Sequence, residues 1–162
     1  MHGVTIEAEK LDALEIDVLN DDYDFVVGNM ILHHIEPLNE FIEKMYSILS
    51  IGGIAVFNEN FASSRLLMFF RDNICGKFGV YKASDDYEYP ITKDEVKMIT
   101  RVFDDVSVET LEFLYIGMLG KNVFRKSPKL ISLFKNIDLF IFNHFLGMRN
   151  KSYHQIIKMK KG

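Results

Sequence analysis

The sequence lacks the features that mark several classes of protein. Cys75 is its single cysteine, which excludes an internal disulfide framework and favours a reducing compartment. No cysteine or histidine residues have the spacing of a zinc site, so we expect no metal. No run of about 18 apolar residues occurs, so we expect no transmembrane segment. Residues 1–10 lack the basic start and apolar core of a signal peptide, and we therefore expect a cytoplasmic protein.

The sequence also lacks an excess of positive charge. Its 19 Lys and Arg residues and 23 Asp and Glu residues give a formal net charge of -4. Because proteins that bind a phosphate backbone usually carry a basic surface, we expect no nucleic-acid partner. The 162 residues suffice for one domain with a real core, and 48% hydrophobic with 26% charged residues is typical of a globular chain.

What the sequence does contain is a strand–helix–strand unit over residues 23–60. The runs 25–27 and 54–57 are short and apolar on both faces, which is typical of strands buried in a parallel sheet. A helical pattern lies between them and provides a crossover connection. We therefore expect the two strands to lie parallel, with a right-handed crossover.

The sequence predicts both ends of the helix in this unit and the face that it buries. Pro37 suits a first helical position, because its missing N–H is not needed there. Gly52-Gly53 predicts the end of the helix, because glycine accepts the left-handed conformation of a C-cap. Glu40 and Lys44 are spaced for an i,i+4 ion pair on one face. The opposite face is an apolar stripe: Leu38, Phe41, Ile42, Met45 and Leu49.

Further strands and helices are predicted on either side of this unit. Alternation over residues 4–8 predicts an edge strand, and residues 106–114 and 153–159 predict two more strands. Ser63 or Ser64 can cap a helix that starts at Arg65. Thr92 and Glu95 form a capping box in front of another apolar stripe.

A long helix is predicted over residues 128–146, with Gly147 at its end. Its second half is apolar almost all round, so it is expected to be buried or to meet a partner or a membrane. Lys135 and Asp138 within it argue against a helix that crosses the bilayer.

Three motifs resemble, in order and spacing, those of class I S-adenosylmethionine-dependent methyltransferases of the small-molecule kind. They are the aromatic-Asp pair Tyr23-Asp24 before a strand, the Asn-x-x-Leu-His-His loop at residues 29–34, and the Leu-x-x-Gly-Gly turn at residues 49–53. Residues 88–92 resemble the family's approach to a later helix. The resemblance covers nearly the whole chain.

The resemblance implies an α/β fold with a partial Rossmann-like sheet. Such a sheet would hold the family's third to seventh strands, the last of them antiparallel, with helices on both faces and helical cap insertions at about residues 61–90 and 117–150. The family's Gly-x-Gly-x-Gly cofactor loop occurs nowhere in the sequence, and its first two strand–helix units have no room before Val4. We expect one truncated domain over residues 1–162, equivalent to the C-terminal two-thirds of the family.

The resemblance also implies methyl transfer from S-adenosylmethionine to a small acceptor molecule once the domain is complete. Without the glycine-rich loop, this chain alone is expected to bind the cofactor weakly or not at all. By position, Asp12-Ala13 would bind the adenine, and Asn29-Met30 would lie beside the cofactor. Glu9 is the alternative to Asp12, and a solvated acidic loop is an equally acceptable interpretation.

Four polar residues at strand ends are candidates for chemistry. His33 and His34 follow a parallel strand, where ligands bind open α/β sheets, and either imidazole can act as a general base near neutral pH. For each one alone, packing under the helix is the simpler interpretation. Glu59 and Asn60 end the next strand and are candidates for substrate contact. A capping role for the Glu59 carboxylate fits equally well.

Two other functions fit the same sequence. One is a non-catalytic, truncated methyltransferase-like subunit that docks on a complementary chain. The other is a lipid- or membrane-surface binding module that uses the helix 128–146. Because strand 25–28 lacks its usual neighbour, its bare edge is expected to recruit a complementary chain, to self-associate, or to pair with residues 4–8. Segments 65–70 and 137–145, rich in Phe and Leu, could wall a pocket for an apolar acceptor.

Overall fold

The computed structural model describes residues 7–19, 22–77, 89–112, 115–124 and 126–162. The strands are β1 (Tyr23–Asn29), β2 (Leu49–Asn60), β3 (Asp105–Glu112) and β4 (His154–Lys160). The helices are α1 (Leu38–Ile48), α2 (Arg65–Asn73), α3 (Lys93–Val102), α4 (Tyr115–Val123), α5 (Pro128–His144) and α6 (Leu146–Arg149). Short 3-10 helices occupy Ala13–Leu19 and Leu32–His34.

The four strands form one mixed sheet in the order β1-β2-β4-β3. β1 and β2 are parallel, with Val26 opposite Ala55. β4 is antiparallel to both of its neighbours, and Ile157 lies opposite Phe57 of β2 and Val108 of β3. The predictions of a parallel strand–helix–strand unit and of an antiparallel last strand are both confirmed, within a mixed α/β fold.

The inner face of the sheet, on the side of Ala55 and Phe57, carries the hydrophobic core. The apolar stripe of α1 lies in this core. All five residues predicted for it are buried: Leu38, Phe41, Ile42, Met45 and Leu49. Burial of a side chain of this size contributes about 1.5–3 kcal/mol. The predicted Glu40–Lys44 ion pair on α1 is present at 3.0 Å.

β1 approaches the core so closely that residue 28 has no room for a side chain. Gly28 lies opposite Phe57 in the sheet, and a Cβ atom on it would be only 2.2 Å from Cε1 of Phe57. Real Cβ contacts are never this short, so the glycine is a packing requirement. The ring of Phe57 thereby closes the space between β1 and β2.

The outer face of the sheet is the opposite side, which includes Phe25 and Val27 of β1. These two side chains are 61% and 73% exposed. The prediction that residues 25–27 are buried on both faces is therefore wrong. The core lies against the inner face only, and no described element buries Phe25 or Val27.

The predicted strand at residues 4–8 lies mostly outside the described residues. Glu7 and Ala8 are described and belong to no strand. Within the described part of the chain, β1 is paired with β2 alone, so its other edge has no partner strand there.

The predicted ends of α1 need correction. Pro37 is the N-cap, with φ −80° and ψ 126°, and the helix begins at Leu38. α1 ends at Ile48 because Leu49 is already extended and starts β2. Gly52 has a positive φ of 80° but lies within β2, where its N–H donates to the carbonyl oxygen of Lys161 at 2.9 Å. The prediction from Gly52 was correct for the left-handed backbone conformation and wrong for the position of the helix end.

The predicted caps and ends of the later helices have mixed outcomes. Ser64 caps α2, and the reciprocal capping box of Thr92 and Glu95 is present at the start of α3. α5 begins with Pro128 at its first turn as predicted, but it ends at His144, and Gly147 lies inside α6. Among the described residues, no helix has the length and apolar character needed to span a bilayer.

Candidate functional site

The candidate site lies at the carboxyl ends of β1 and β2, where a loop leaves the sheet. Met30 follows β1 with φ 53°, and its N–H donates to the carbonyl oxygen of Asn58 at 2.8 Å. This left-handed residue turns the chain out of the strand and into the short helix Leu32–His34. The carboxyl end of a parallel strand pair is where open α/β sheets bind their ligands.

Glu59 of β2 is hydrogen-bonded to this loop. The residue is 0% exposed, and its Oε1 accepts hydrogen bonds from the N–H groups of Ile31 (2.8 Å) and Leu32 (2.9 Å). Its Oε2 lies 2.6 Å from Nδ1 of His33. A buried carboxylate is costly without such partners, and here three donors surround it. The structure thus places Glu59 as a clamp on the loop, the alternative to a direct substrate contact.

The same contact fixes the orientation of His33. The His33 side chain is 1% exposed. With Glu59 ionised, its carboxylate can only accept hydrogen bonds, so Nδ1 of His33 is the donor of this contact. A carboxylate that orients an imidazole in this way is a recurring arrangement around catalytic histidines.

The two predicted histidines lie together but in different surroundings. Their ring centroids are 4.2 Å apart, with planes tilted by 39°. His34 is exposed, whereas His33 is buried against Glu59. Of the two, only His33 has a buried partner that fixes its ring.

His33 lies in the wall of a cavity of about 520 Å³, a volume that suits a small molecule. The cavity is bounded by Leu32, His33, Ile35, Glu36, Pro37, Leu38, Tyr89 and Glu95. None of these described lining residues comes from segments 65–70 or 137–145, which were predicted to wall an acceptor pocket. Leu66 and Phe69 of α2 are instead exposed.

The residues predicted to bind the cofactor lie at two places. Asp12 is exposed and its Oδ1 accepts a hydrogen bond from the N–H of Leu14 at 2.9 Å, and Ala13 begins the short helix Ala13–Leu19. Asn29 lies at the end of β1, where its Oδ1 accepts a hydrogen bond from Nδ2 of Asn58 at 2.9 Å. Met30 follows it with the positive φ described above.

Asn58 and Asn60 add two oxygen atoms with unused hydrogen-bonding capacity. Among the described residues, the buried Oδ1 atoms of both side chains accept no hydrogen bond. The backbone of Asn60 is engaged, because its carbonyl oxygen accepts the N–H of Ile91 at 2.7 Å. A ligand with N–H or O–H donors would satisfy such orphaned acceptors.

A buried polar residue beside Glu59 was missed in the sequence. Gln155 of β4 is opposite Glu59 in the sheet and 5% exposed. Its Nε2 donates to Oγ of Ser63 (2.7 Å) and to the carbonyl oxygen of Ser152 (2.6 Å). The sequence did contain a signal for its burial. Gln155 is two residues before Ile157, so in an alternating strand both side chains lie on the inward face. Its hydrogen bond to Ser63 ties the start of β4 to the segment that precedes α2.

No group of His, Cys, Asp and Glu side chains in the described residues could hold a metal ion.

Neither the family models nor the curated protein sequences contain a match to this chain. Solved structures do match. A SAM-dependent methyltransferase from Archaeoglobus fulgidus aligns at 19% identity and a TM-score of 0.57, over 94% of this chain and 66% of that one. A SAM-dependent methyltransferase from Thermotoga maritima, described as a possible histamine N-methyltransferase, aligns at 12% identity and a TM-score of 0.51.

The Thermotoga maritima match covers 88% of this chain and 57% of that one. This chain thus spans less than two thirds of the length of either solved structure. At these identities the likeness concerns the fold alone. The chain has the fold of the class I S-adenosylmethionine-dependent methyltransferases.

Proposed function

We propose that this domain carries the acceptor side of a methyltransferase site and takes part in methyl transfer from S-adenosylmethionine to a small molecule. The observation that carries the proposal is the Glu59–His33 pair, buried at the carboxyl ends of two parallel strands and in the wall of a cavity of about 520 Å³. The fold and the size of the cavity support it.

In this proposal His33 is the general base. Glu59 keeps the proton on Nδ1, so that Nε2 can receive a proton from an acceptor O–H or N–H group as the acceptor takes the methyl group. Glu59 is a positioning residue, because it acts only through His33 and the loop. His34 is the second candidate base, and its exposure makes it the weaker one.

The residues present fit the cofactor in part. S-adenosylmethionine supplies an electrophilic methyl group when it is bound. Asn29, Met30 and the buried Oδ1 of Asn58 offer oxygen and backbone groups at the end of β1, and Asp12 offers an exposed carboxylate. The sequence contains no Gly-x-Gly-x-Gly loop to approach the methionine part. We therefore expect this chain alone to bind the cofactor with a Kd weaker than about 1 mM.

Calorimetric titration of the chain with S-adenosylmethionine tests the cofactor part. The expected result is no saturable heat, and micromolar affinity would contradict it by showing that other residues replace the glycine-rich loop. A chimera, in which the glycine-loop segment of a methyltransferase precedes Met1, is expected to gain micromolar affinity. This chimera makes the role of His33 measurable.

In the chimera, His33→Ala is expected to lower kcat for a hydroxyl or amine acceptor about 100-fold or more, with cofactor affinity unchanged. Glu59→Gln is expected to lower kcat less and to alter its pH dependence, because the amide no longer fixes the Nδ1 proton. His34→Ala is the matched control and is expected to retain most activity. Equal kcat in the His33→Ala and unsubstituted chimeras would remove His33 from the mechanism.

A second candidate function is that of a non-catalytic subunit that docks on a complementary chain. Phe25 and Val27 are exposed beside an edge of β1 that has no partner strand in the described part of the chain, and both observations favour it. The chimera also separates the two functions. A chimera that binds the cofactor but methylates no phenol, amine or thiol would favour the docking subunit over the enzyme.

A further inference from the structure

Residues 126–151, which contain α5 and α6, differ in charge from the rest of the chain. The whole sequence has 19 cationic and 23 anionic residues, but this segment has one carboxylate and five cations. The cations are Lys126, Lys129, Lys135, Arg149 and Lys151. All four lysines are exposed.

The one carboxylate of the segment faces inward. Asp138 is 4% exposed, and its two oxygens accept hydrogen bonds from the N–H groups of Ile116 (2.9 Å) and Gly117 (2.6 Å) at the start of α4. Asp138 thus satisfies orphan donors of α4 and fastens α5 to it. The outward side of α5 and α6 consequently presents cations and no carboxylate.

α5 and α6 also expose large apolar side chains. We call these the α5–α6 surface and define it by six residues that are 37–67% exposed: Leu133, Ile137, Leu139, Phe140, Phe145 and Leu146. Leu133, Ile137 and Phe140 share one helical stripe, since they are spaced i, i+4 and i+7. The ring of Phe145 lies 6.5 Å from that of Phe140 and extends the stripe to the start of α6.

We propose that the α5–α6 surface binds the surface of an anionic lipid bilayer. A helix with an apolar stripe and lysines on its outward side lies in the interface plane, with apolar side chains at the acyl boundary and ammonium groups at lipid phosphates. Each lysine near an anionic membrane contributes to attraction, and no exposed carboxylate of this segment opposes it. Lys129 stands one helical turn before Leu133, and Lys135 one turn before Leu139.

The composition favours a bilayer over a protein partner. The cores of protein interfaces are enriched in Tyr, Trp, Phe, Met and Arg and depleted in Lys. This segment has four exposed lysines, and residues 126–151 contain no Tyr or Trp. Binding to a bilayer is independent of the proposed methyl transfer, since none of the described residues lining the His33 cavity belongs to this segment.

Vesicle co-sedimentation of the full chain tests the charge requirement. Vesicles of phosphatidylcholine with about one third phosphatidylglycerol are expected to bind the chain at least about tenfold more tightly than pure phosphatidylcholine vesicles. Binding should weaken when the salt is raised from about 0.1 M to about 1 M, because the screening length falls from about 10 Å to about 3 Å.

Two pairs of variants locate the binding surface. Lys129→Glu with Lys135→Glu is expected to weaken binding to the anionic vesicles at least about tenfold. Lys93→Glu with Lys158→Glu makes the same change in net charge elsewhere and is expected to reduce it much less. Equal losses in the two pairs would overturn the proposal, because only net charge would then matter.

The apolar requirement is tested in the same way. Leu133→Ser with Phe140→Ser is expected to lower vesicle affinity at least about tenfold, whereas the matched exposed pair Leu66→Ser with Phe69→Ser on α2 leaves it unchanged. Since all four side chains are more than half exposed, unchanged circular dichroism and thermal unfolding are expected for both pairs. A chain that ignores anionic vesicles, or self-associates through Leu133 and Phe140 without binding them, overturns the proposal.

Discussion

The two faces of the sheet are made by the same strands but are covered to very different extents. On the inner face, Ala55 is 0% and Phe57 2% exposed, while on the outer face Phe25 is 61% and Val27 73% exposed. Both sets are apolar, and a strand that is apolar on both sides is typical of a sheet covered on both sides. The comparison teaches that the outer face has the composition of a buried surface without a described element to bury it.

The largest expected effect is a difference in unfolding free energy between matched substitutions on the two faces. Phe57→Ala is expected to lower the free energy of unfolding by about 3–5 kcal/mol, because it leaves a cavity between β1, β2 and α1. Phe25→Ala is the matched variant on the outer face and is expected to change it by no more than about 0.5 kcal/mol. Urea unfolding followed by circular dichroism measures both. A comparable loss in the two variants would mean that Phe25 is covered in solution.

The next effect concerns the close approach of Gly28 to Phe57 on the inner face of the sheet. Gly28→Ala is expected to lower the free energy of unfolding by about 1–3 kcal/mol, because its Cβ would lie 2.2 Å from the Phe57 ring. Gly147→Ala is the control, since nothing lies within 4 Å of the added Cβ there. Thermal unfolding compares them, and an equal midpoint for Gly28→Ala and the unsubstituted chain would contradict the close approach.

A smaller effect on stability, with a clear effect on association, is expected at Val27. Val27→Lys places a charge on the exposed face beside the open edge of β1, a device that prevents edge-to-edge pairing of sheets. We expect self-association, measured by sedimentation, to fall, and the unfolding free energy to change by no more than about 0.5 kcal/mol. Ser107→Lys, on β3 at the far side of the sheet, is the control. A monomeric unsubstituted chain whose β1 edge stays unpaired and exposed would contradict our prediction that this edge recruits a complementary chain, self-associates or pairs with residues 4–8.

The smallest effect is a pH dependence at the rim of the inner face. The pKa of Asp104 lies below its ordinary value, first because its Oδ2 accepts the N–H of Gly162 (2.8 Å) and then because it accepts the hydroxyl of Tyr46 (3.1 Å). A carboxyl whose pKa is lowered by folding stabilises the fold above its unfolded pKa, about 4, and this stabilisation is lost as the pH falls through the folded pKa.

Because Asp104 is exposed, solvent screens this contribution and keeps it small. Asp104→Asn is expected to flatten the decline in unfolding midpoint between about pH 6 and about pH 3 slightly. Asp105→Asn, at the neighbouring exposed carboxyl, is the control. An unchanged pH profile in Asp104→Asn would show that the two hydrogen bonds do not contribute.

The features that the sequence predicted correctly are those that depend on residues close together in the chain. The apolar stripe of α1 and the capping box of Thr92 and Glu95 depend on contacts three or four residues apart, and both are present. The end of α1 was mispredicted. Glycine at position 52 indicates a positive φ, but it does not indicate whether that residue ends a helix or lies within a strand. Leu49 leaves the helix early because it pairs with Tyr23 in the sheet, a contact across 26 positions.

The candidate site was predictable in its location but not in its contacts. His33 and Glu59 each follow or end a parallel strand, so their proximity at one edge of the sheet could be expected. The hydrogen bond between them depends on the left-handed turn at Met30 and on the inward side of β2. Gln155 joins Ser63 across 92 positions, and no pattern within either segment encodes that contact.

The position of β4 has a consequence for how the chain folds during synthesis. β4 is the last strand in sequence but lies between β2 and β3, which do not pair with each other. The ribosome therefore makes every other described strand before the one that joins them. Until residues 154–160 are available, β3 has no partner in the sheet, so closure of the sheet is a late, long-range event of the kind that slows folding. A nascent chain that stalls before residue 154 would hold the β1–β2 pair and a β3 segment with no partner among the described strands.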